Sequence, residues 1–445
     1  MNDELIDQYT DVLNKIKWDT NNFKISSESI EKLKELNNDV NFNSIDCFIK
    51  SFKIKYTYLF TKNNDIPATI KYIKEYIYNN LPKYLYLVTL GLNNYNTDLF
   101  IEDFIHGIID ICKKKLINIS QENVMDIVDL DLYFNNEYSI SVNLVNEIDF
   151  DVISKWINFE IVLINDNYLK NFDNDYFYNV ESGNDLITYL TKLLKYFSSF
   201  LLLKNDNILI LKYQLKIFQK IILNLIFRYR QNITVNQSND SIALLKNIIV
   251  IYDYLLTLTK DQIVISINKD FKKLNNDDDT ISLLEGELIE YKKMIIRFFN
   301  NNVVAFLKTN INREIAFCIQ NYSDDNAWND FLRKNKSTME SIGKVLANNN
   351  LLTCYYFKIV YINTSLILKK IINNIVLNGK IDKEMIEKLK LHVHSFSYFE
   401  EIIEYNKFMD YLTLIESIHN DIDINNIKFN FLNKSEIREV INAYT

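Results

Sequence analysis

Cysteine and histidine are the residue types most able to bind a metal or act as nucleophiles, and this 445-residue chain contains four of each. The cysteines are widely separated, and each falls in an apolar stretch with helical spacing: Cys47, Cys112, Cys318 and Cys354. Zinc and dithiol redox sites need close pairs such as C-x-x-C, and the sequence has none. We therefore predict that the cysteines are buried thiols in a reducing compartment.

Two of the histidines, His392 and His394, lie two positions apart at the end of a predicted helix. Residues with that spacing point to different faces of a helix, which argues against a joint metal site. His106 lies beside Gly107 in a predicted helix, and His419 lies near a helix end, where a positive charge is favourable. We predict no metal site and no cofactor.

Common motifs for phosphate binding and hydrolysis are absent, among them G-x-x-x-x-G-K-[ST], G-x-G-x-x-G and H-E-x-x-H. With only six glycines, the backbone can rarely approach a phosphate closely. A helical enzyme resembling prenyl transferases would need paired aspartate-rich motifs on helices that line a cavity. The aspartate runs here, near Asp173–Asp175 and Asp277–Asp279, fall in predicted loops. We predict no catalytic residues and no enzymatic activity.

The spacing of apolar residues predicts an all-α fold almost throughout the chain. Hydrophobic residues make up 48% of the sequence, while six glycines and two prolines are few for a turn-rich β-structure. The net charge of −8 comes from 50 basic and 58 acidic residues mixed along the chain. Because there is no concentrated basic region, we predict no nucleic-acid partner.

Residues 2–17 are predicted to form an amphipathic helix. The apolar residues follow the spacing of one helix face: Leu5, Ile6, Tyr9, Val12, Leu13 and Ile16. An isolated helix of about 15 residues is marginal in water, so this face must be covered. Either the neighbouring 27–60 segment folds over it, or a helix of a partner protein does. We hypothesise that these six residues bind a partner.

Further helices are predicted from Ser27 onward, separated by polar, asparagine-rich loops. Helices at 27–36 and 44–61 belong to a short N-terminal segment, 1–65, and Pro67 opens a longer helical region, 66–445. Residues 261–268 alternate like a strand, and we interpret them as a helix end. The helices predicted in the longer region are 67–80, 82–93, 97–117, 121–147, 149–165, 184–204, 207–231, 239–260, 279–300, 301–321, 335–350, 351–378, 382–391, 395–419 and 434–443.

The sequence also indicates how the chain relates to membranes. Its N-terminus lacks the basic and apolar regions of a signal peptide. The most apolar stretch, 208–227, carries Lys212, Lys216 and Lys220 on one stripe of a helix, and each ammonium group would be costly at bilayer depth. We predict a soluble chain without a transmembrane segment.

Several predicted helices carry recognisable patterns in a fixed order. The first is at residues 102–116, which read EDFIHGIIDICKKKL. Three more helices follow it: one with a Trp-x-x-x-Glu pattern, one that contains a glutamine and a Tyr-Arg cluster, and one that closes in a loop and a tryptophan. The residues that carry these patterns are Phe104, Gly107, Lys115, Trp156, Glu160, Gln219, Tyr229, Arg230 and Trp328. Their order resembles the RINT/TIP family over roughly residues 66–420.

The chain departs from the family pattern in its first part. Pro67-Ala68-Thr69 stands where the family has Pro-Glu-Trp, and the region before residue 66 is shorter than is usual in the family. We interpret the family-motif residues as structural. In particular, Trp156 and Phe159 are predicted to be core residues that fix their helix against its neighbours.

The resemblance implies a CATCHR-type protein, an elongated rod of stacked antiparallel helical bundles. Members of the family are subunits of the Dsl-type complex at the endoplasmic reticulum (ER), which captures COPI vesicles returning from the Golgi and engages ER SNAREs. The implied partners are other tethering-complex subunits, ER SNARE proteins and, indirectly, COPI vesicles. The implied location is cytoplasmic, peripheral on the ER membrane. The alternative is a helical scaffold or adaptor protein outside the trafficking system.

Overall fold

The computed structural model describes most of the chain, and all regular structure in the described residues is helical. These residues contain no β-strand, so the all-α prediction is confirmed for them. The described ranges are 2–18, 25–38, 45–60, 65–92, 95–170, 179, 181–203, 207–235, 241–275, 282–321, 324–347, 350–378, 381–394, 403–424 and 427–444.

Nineteen α-helices follow one another in these ranges. The first nine are α1 (Asn2–Lys15), α2 (Ser27–Asn38), α3 (Asp46–Phe60), α4 (Ile66–Thr89), α5 (Thr97–Ile117), α6 (Val124–Tyr138), α7 (Phe150–Lys170), α8 (Ser182–Leu201) and α9 (Ile208–Ile217). The others are α10 (Asn224–Val235), α11 (Ser241–Leu258), α12 (Gln262–Asn275), α13 (Glu285–Phe298), α14 (Val304–Gln320), α15 (Asp325–Leu346), α16 (Asn350–Asn374), α17 (Lys383–His394), α18 (Ile403–His419) and α19 (Lys434–Tyr444).

The chain divides into two compact units. Unit 1 comprises Met1–Asn171, Thr191–Leu225 and Gln262–Thr280. Unit 2 comprises Phe172–Leu190, Ile226–Asp261 and Ile281–Thr445. The segment 1–65 lies within unit 1, and its separate role, like the domain boundary at residue 65, stays a prediction.

Aromatic side chains of α3, α4 and α5 form the first part of the unit 1 core. The ring of Phe48 lies 5.0 Å from that of Phe100 and 5.1 Å from that of Tyr84, between centroids. Phe104 stacks on Phe100 and is fully buried. Burial of such large side chains supplies much of the driving force that holds helices of low intrinsic stability together.

Helix α4 corrects a predicted break. We expected separate helices at 67–80 and 82–93, but one helix runs from Ile66 to Thr89 with Pro82 inside it. The helix begins where expected, because the Asp65 side chain accepts a hydrogen bond from the Ala68 backbone N–H at 2.9 Å. Pro82 removes one backbone donor, and the buried residues Leu81 and Tyr84 keep the turns beside it packed in the core.

The helix predicted over 121–147 is instead broken. Helix α6 ends at Tyr138, and Ser139 and Asn143 both have left-handed backbone conformations, with φ of 59° and 57°. A 3-10 turn, Leu144–Glu147, follows. The buried carboxylate of Asp131 accepts hydrogen bonds from the backbone N–H groups of Leu144 and Val145, which hold the returning chain against α6.

Other predicted helices are also divided or shifted. Residues 207–231 form α9 and α10, joined by a π-helical segment, Phe218–Leu223. A second π-helical segment, Phe299–Val303, joins α13 to α14. The stretch 261–268 starts helix α12 and does not end a helix, because Ile263, Val264 and Ile267 fall together on one buried face.

In unit 2, α14 and α15 pack on α16. A buried amide pair links two of these helices, with Asn363 Nδ2 donating to Asn335 Oδ1 at 2.9 Å. Cys47, Cys112 and Cys318 are buried as predicted, but Cys354 is exposed. Cys354 shares its face of α16 with the exposed residues Phe357 and Tyr361, so an apolar neighbourhood in the sequence did not mean burial.

Within the described ranges, two segments are long and apolar enough to cross a membrane by length and composition alone: Ser241–Leu258, which is α11, and Asn350–Asn378, which includes α16. Helix α11 has the features of a core helix, since most of its residues are buried within the protein and even Lys246 is only 2% exposed. Core helices of soluble proteins can be equally long and apolar. The absence of a transmembrane segment stays a prediction.

Candidate partner-binding surfaces

The apolar face of α1 is partly covered by the chain itself. Tyr9, Leu13 and Ile16 are buried, and α1 packs mainly on α3. The Tyr9 hydroxyl donates to the Leu92 carbonyl oxygen at 3.0 Å, and Thr10 Oγ1 donates to the Cys47 carbonyl oxygen at 3.2 Å. Of the two ways to cover this face, folding of the neighbouring segment therefore accounts for these three apolar residues.

The remaining residues of the predicted partner site, Leu5, Ile6 and Val12, are only half-buried. Leu5 and Val12 lie together on one flank of the buried face and Ile6 lies on the other flank, while the exposed Glu4 and Asp11 lie beyond Leu5 and Val12. The structure thus leaves a narrow apolar strip on α1, Leu5 and Val12, with an acidic edge. Binding of a partner to α1 stays a prediction.

The first motif residues lie on α5. Phe104 is fully buried, and Gly107 lies where α5 passes closest to α3, since an added Cβ would lie 3.0 Å from Ile49 Cδ1. The Lys115 ammonium lies over the Phe60 ring at 5.1 Å and is 3.4 Å from the Phe60 carbonyl oxygen. These three residues contact other parts of unit 1.

The Trp-x-x-x-Glu pattern of α7 forms a polar contact across one helical turn. Trp156 Nε1 donates to Glu160 Oε1 at 3.2 Å, and the Tyr196 hydroxyl of α8 donates to the same oxygen at 2.9 Å. Trp156 is 3% exposed, whereas Phe159 is 53% exposed. The predicted core position of Phe159 is therefore wrong: it lies about 60° around the helix from Trp156, just beyond the side of α7 that α8 covers.

The Tyr-Arg cluster of α10 makes contacts within unit 2. The hydroxyl groups of Tyr229 and Ser182 are hydrogen-bonded at 2.7 Å. The Arg230 guanidinium donates two hydrogen bonds to the carboxylate of Glu287, at 3.0 and 3.1 Å. Gln219 is half-buried in the π-helical segment, and Trp328 is fully buried at the start of α15. The structural role assigned to the motif residues rests on these contacts within the chain.

Two polar clusters were missed by the sequence analysis. Gln214 is buried, and its Nε2 donates to the carbonyl oxygens of Phe200 and Leu203 at the end of α8, at 2.7 and 3.0 Å. In unit 2, Lys246 Nζ lies 2.8 Å from Glu181 Oε1 and Asn247 Nδ2 lies 2.8 Å from Ser182 Oγ. The only local signal was a polar residue within an apolar helical run, which does not identify the partner.

No group of three or more histidine, cysteine, aspartate or glutamate side chains that could hold a metal ion occurs among the described residues. Burial raises the pKa of the Cys112 thiol to about 12, which keeps it protonated at neutral pH. A small polar cavity of about 230 Å³ lies between α1, α3 and α4, with Asn14, Lys55 and Glu75 among its lining residues. The described surfaces therefore offer helix faces for contact with other molecules.

The fold and these surfaces define a class of protein: an all-α chain built of packed helices, whose accessible features are helix faces. Its sequence matches no protein-family model, and it matches no curated protein. Its structure is similar to one described as "Crystal structure of the SNARE Sec20 bound to Dsl1 complex subunit Tip20", and the matching chain is Tip20. The TM-score is 0.74 at 16% sequence identity, with 100% of this chain and 89% of Tip20's chain covered. The chain therefore has the fold of Tip20.

Proposed function

We propose that this chain is a non-enzymatic subunit of a membrane-tethering complex that binds SNARE proteins. One observation carries the proposal: the whole chain superimposes on a Dsl1 complex subunit that was crystallised with a SNARE bound. Agreement over the full length concerns the complete helical framework, which is stronger support than a shared single bundle. The ordered sequence patterns over roughly residues 66–420 point to the same class of protein.

The finer part of the proposal concerns the cellular step. By the resemblance to the RINT/TIP family, the chain would act at the endoplasmic reticulum in Golgi-to-ER retrograde transport, in the capture of COPI vesicles. It would lie on the cytoplasmic side as a peripheral membrane protein. Fractionation tests this: the chain should sediment with ER membranes and be released by high salt or carbonate. Retention in the membrane after carbonate treatment would contradict the peripheral location.

SNARE binding is tested with purified components. The full chain is mixed with the cytoplasmic part of the Sec20-like SNARE of the same organism, and binding is measured by calorimetry and by co-elution from a sizing column. We expect a saturable complex, with an unrelated SNARE of similar length as the control. If neither SNARE binds, the proposal fails and the scaffold or adaptor alternative gains support.

Assembly with a neighbouring tether subunit is tested on α1. Replacing the half-buried Leu5 and Val12 by aspartate puts two charges into this apolar strip, and we expect loss of complex formation with other tether subunits. The matched control replaces two exposed residues away from this strip by aspartate, Asn14 of the same helix and Thr57 of α3. Equal binding by both variants would contradict a role of this strip in assembly.

The rod shape stays a prediction. A compact 445-residue protein has an expected radius of gyration of roughly 22 Å. Small-angle scattering should give a value well above this for a rod of stacked bundles. A radius near the compact value would contradict the rod and weaken the proposed function.

A further inference from the structure

The structure has a second exposed apolar strip, on the outer face of α7 in unit 1. Its three residues, Phe159, Val162 and Leu163, are 53%, 58% and 44% exposed. They follow the i, i+3, i+4 spacing by which one helix face contacts another helix. Trp156, beside the strip, and Ile157, on the far side of α7, are both buried, so packing within unit 1 holds the helix in place without the strip.

A row of lysines runs along one side of the strip. Helix α9 and the π-helical segment lie beside α7 and run in the same direction, since Tyr213 contacts Phe150, Lys216 contacts Asn158 and Asn224 contacts Asn165. Lys216 Nζ donates to Asn158 Oδ1 at 2.9 Å, which places Lys216 on the side of α7 where Val162 lies one turn further on. Lys212 and Lys220 lie one turn before and after Lys216 on the neighbouring helical segment. We call Lys212, Lys216 and Lys220 the lysine edge.

The ammonium groups of the lysine edge are available to pair with an acidic group. Within the described part of the chain, none of its members forms an ion pair, and Lys212 and Lys220 are exposed. Lys155, also exposed, adds a fourth positive charge one turn before Phe159. On the other side, Tyr196 of α8 borders the strip, held there by its hydrogen bond to Glu160. The surface is therefore apolar in the middle and basic along one side.

We propose that this surface binds an acidic amphipathic helix of a partner protein. The apolar side of such a helix would cover Phe159, Val162 and Leu163, and its carboxylates would pair with the lysine edge. The charges favour a protein helix over an anionic bilayer, because the exposed Asp151 and Asp166 lie on the outer side of the same helix. A bilayer presents uniform negative charge and would repel both aspartates, whereas a helix can place a neutral or basic residue opposite each one.

The experiment uses the full chain and two synthetic 18-residue probes. The first is an amphipathic helix with leucines on one face and glutamates beside them, and the second has lysine at every glutamate position. We expect the glutamate probe to bind more tightly by at least about tenfold, and its affinity to fall as salt is raised. Binding is measured by fluorescence anisotropy, and a photo-crosslinking residue in place of Phe159 should attach to the probe.

Two variants locate the contact, with a milder third variant and a matched control. Changing the lysine edge to glutamate, or both Phe159 and Leu163 to alanine, should each weaken binding of the glutamate probe at least about tenfold. Alanine at the lysine edge gives a milder variant should the glutamate version fail to fold. A matched control changes three exposed lysines elsewhere in unit 1 to glutamate and should bind like the wild type: Lys34, Lys53 and Lys114. Melting temperatures should agree among all variants, since every substituted residue is exposed or half-buried.

Several results would overturn the proposal. Equal affinity for the two probes would show that the lysine edge does not select charge, and unchanged binding by the lysine-edge variant would place the contact elsewhere. Vesicles containing phosphatidylserine form a separate arm. The surface is a lipid contact if the vesicles bind the wild-type chain but not the lysine-edge variant, and the glutamate probe does not bind the wild-type chain. Because no SNARE is used, failure here leaves the proposed function intact, and failure of the SNARE experiment leaves this inference intact.

Discussion

Helices α1 and α7 both belong to unit 1, and both carry more apolar residues than a single buried face requires. On α1, Tyr9 and Leu13 are covered by the packing of α1 on α3, and only a narrow half-buried strip is left. On α7, the buried face holds Trp156, while three large apolar residues remain exposed on the other side. The comparison shows that the number of apolar residues on a helix does not tell how many of its faces the chain itself covers.

The largest expected effect contrasts the two faces of α7. Trp156→Ala should lower the free energy of unfolding by about 3–5 kcal/mol, because a buried aromatic is replaced by a cavity. Phe159→Ala, three residues away, should change it by less than about 0.5 kcal/mol, because this ring is exposed. Denaturant unfolding followed by circular dichroism measures both values. Similar losses in the two variants would show that the outer face of α7 is covered as well.

A second experiment makes the same contrast within α1. Leu13→Ala removes a side chain that is 5% exposed and should cost about 2–5 kcal/mol. Leu5→Ala removes a half-buried side chain of the same type and should cost clearly less. Chemical denaturation of the isolated chain is again the measurement. If Leu5→Ala costs as much as Leu13→Ala, the strip on α1 is not available to a partner.

Burial also affects a titratable group, the carboxyl of Asp131. Burial raises the pKa of this carboxyl to about 6, although the hydrogen bonds that it accepts from two backbone N–H groups lower the pKa. Because the folded pKa is above the unfolded one, the folded protein binds more protons between pH 3.8 and 6. The wild type should therefore gain up to about 3 kcal/mol relative to Asp131→Asn as the pH falls through this window.

Unfolding curves of wild type and Asp131→Asn across this pH range make the measurement. Asparagine is similar in shape and does not titrate in the window, so it isolates the carboxyl group from its packing. A difference between the two proteins that stays constant with pH would show that the carboxyl is not perturbed. A difference with the opposite slope would show that the N–H groups outweigh burial.

The smallest expected effect concerns one hydroxyl group on α1. Tyr9→Phe removes the buried hydrogen bond to the Leu92 carbonyl oxygen and should cost about 1–2 kcal/mol. Tyr58→Phe is the matched control. The Tyr58 side chain is 88% exposed, so removal of its hydroxyl should hardly change the free energy of unfolding. Thermal melting distinguishes the two. A neutral Tyr9→Phe would mean that water replaces the lost hydroxyl and that this end of α1 is less well covered than its burial indicates.

The sequence by itself determined the helical class. Apolar residues at helical spacing, with few glycines and prolines, leave little choice of secondary structure. Trp156 and Tyr229, which we interpreted as structural, are both buried. These properties depend on neighbours along the chain, which the sequence lists directly. The start of α4 was predicted for the same reason, because Pro67 acts locally.

The tertiary structure decided what the sequence could not. After α6 ends at Tyr138 the chain folds back so that Asp131 binds the backbone of residues 144 and 145, and α4 continues through Pro82 because its flanking turns are held in the core. The exposure of Phe159 and the position of the lysine edge beside it depend on which helix packs against which face of α7. Such pairings join residues distant in sequence, and an amphipathic pattern specifies that a face needs cover without specifying the element that provides it.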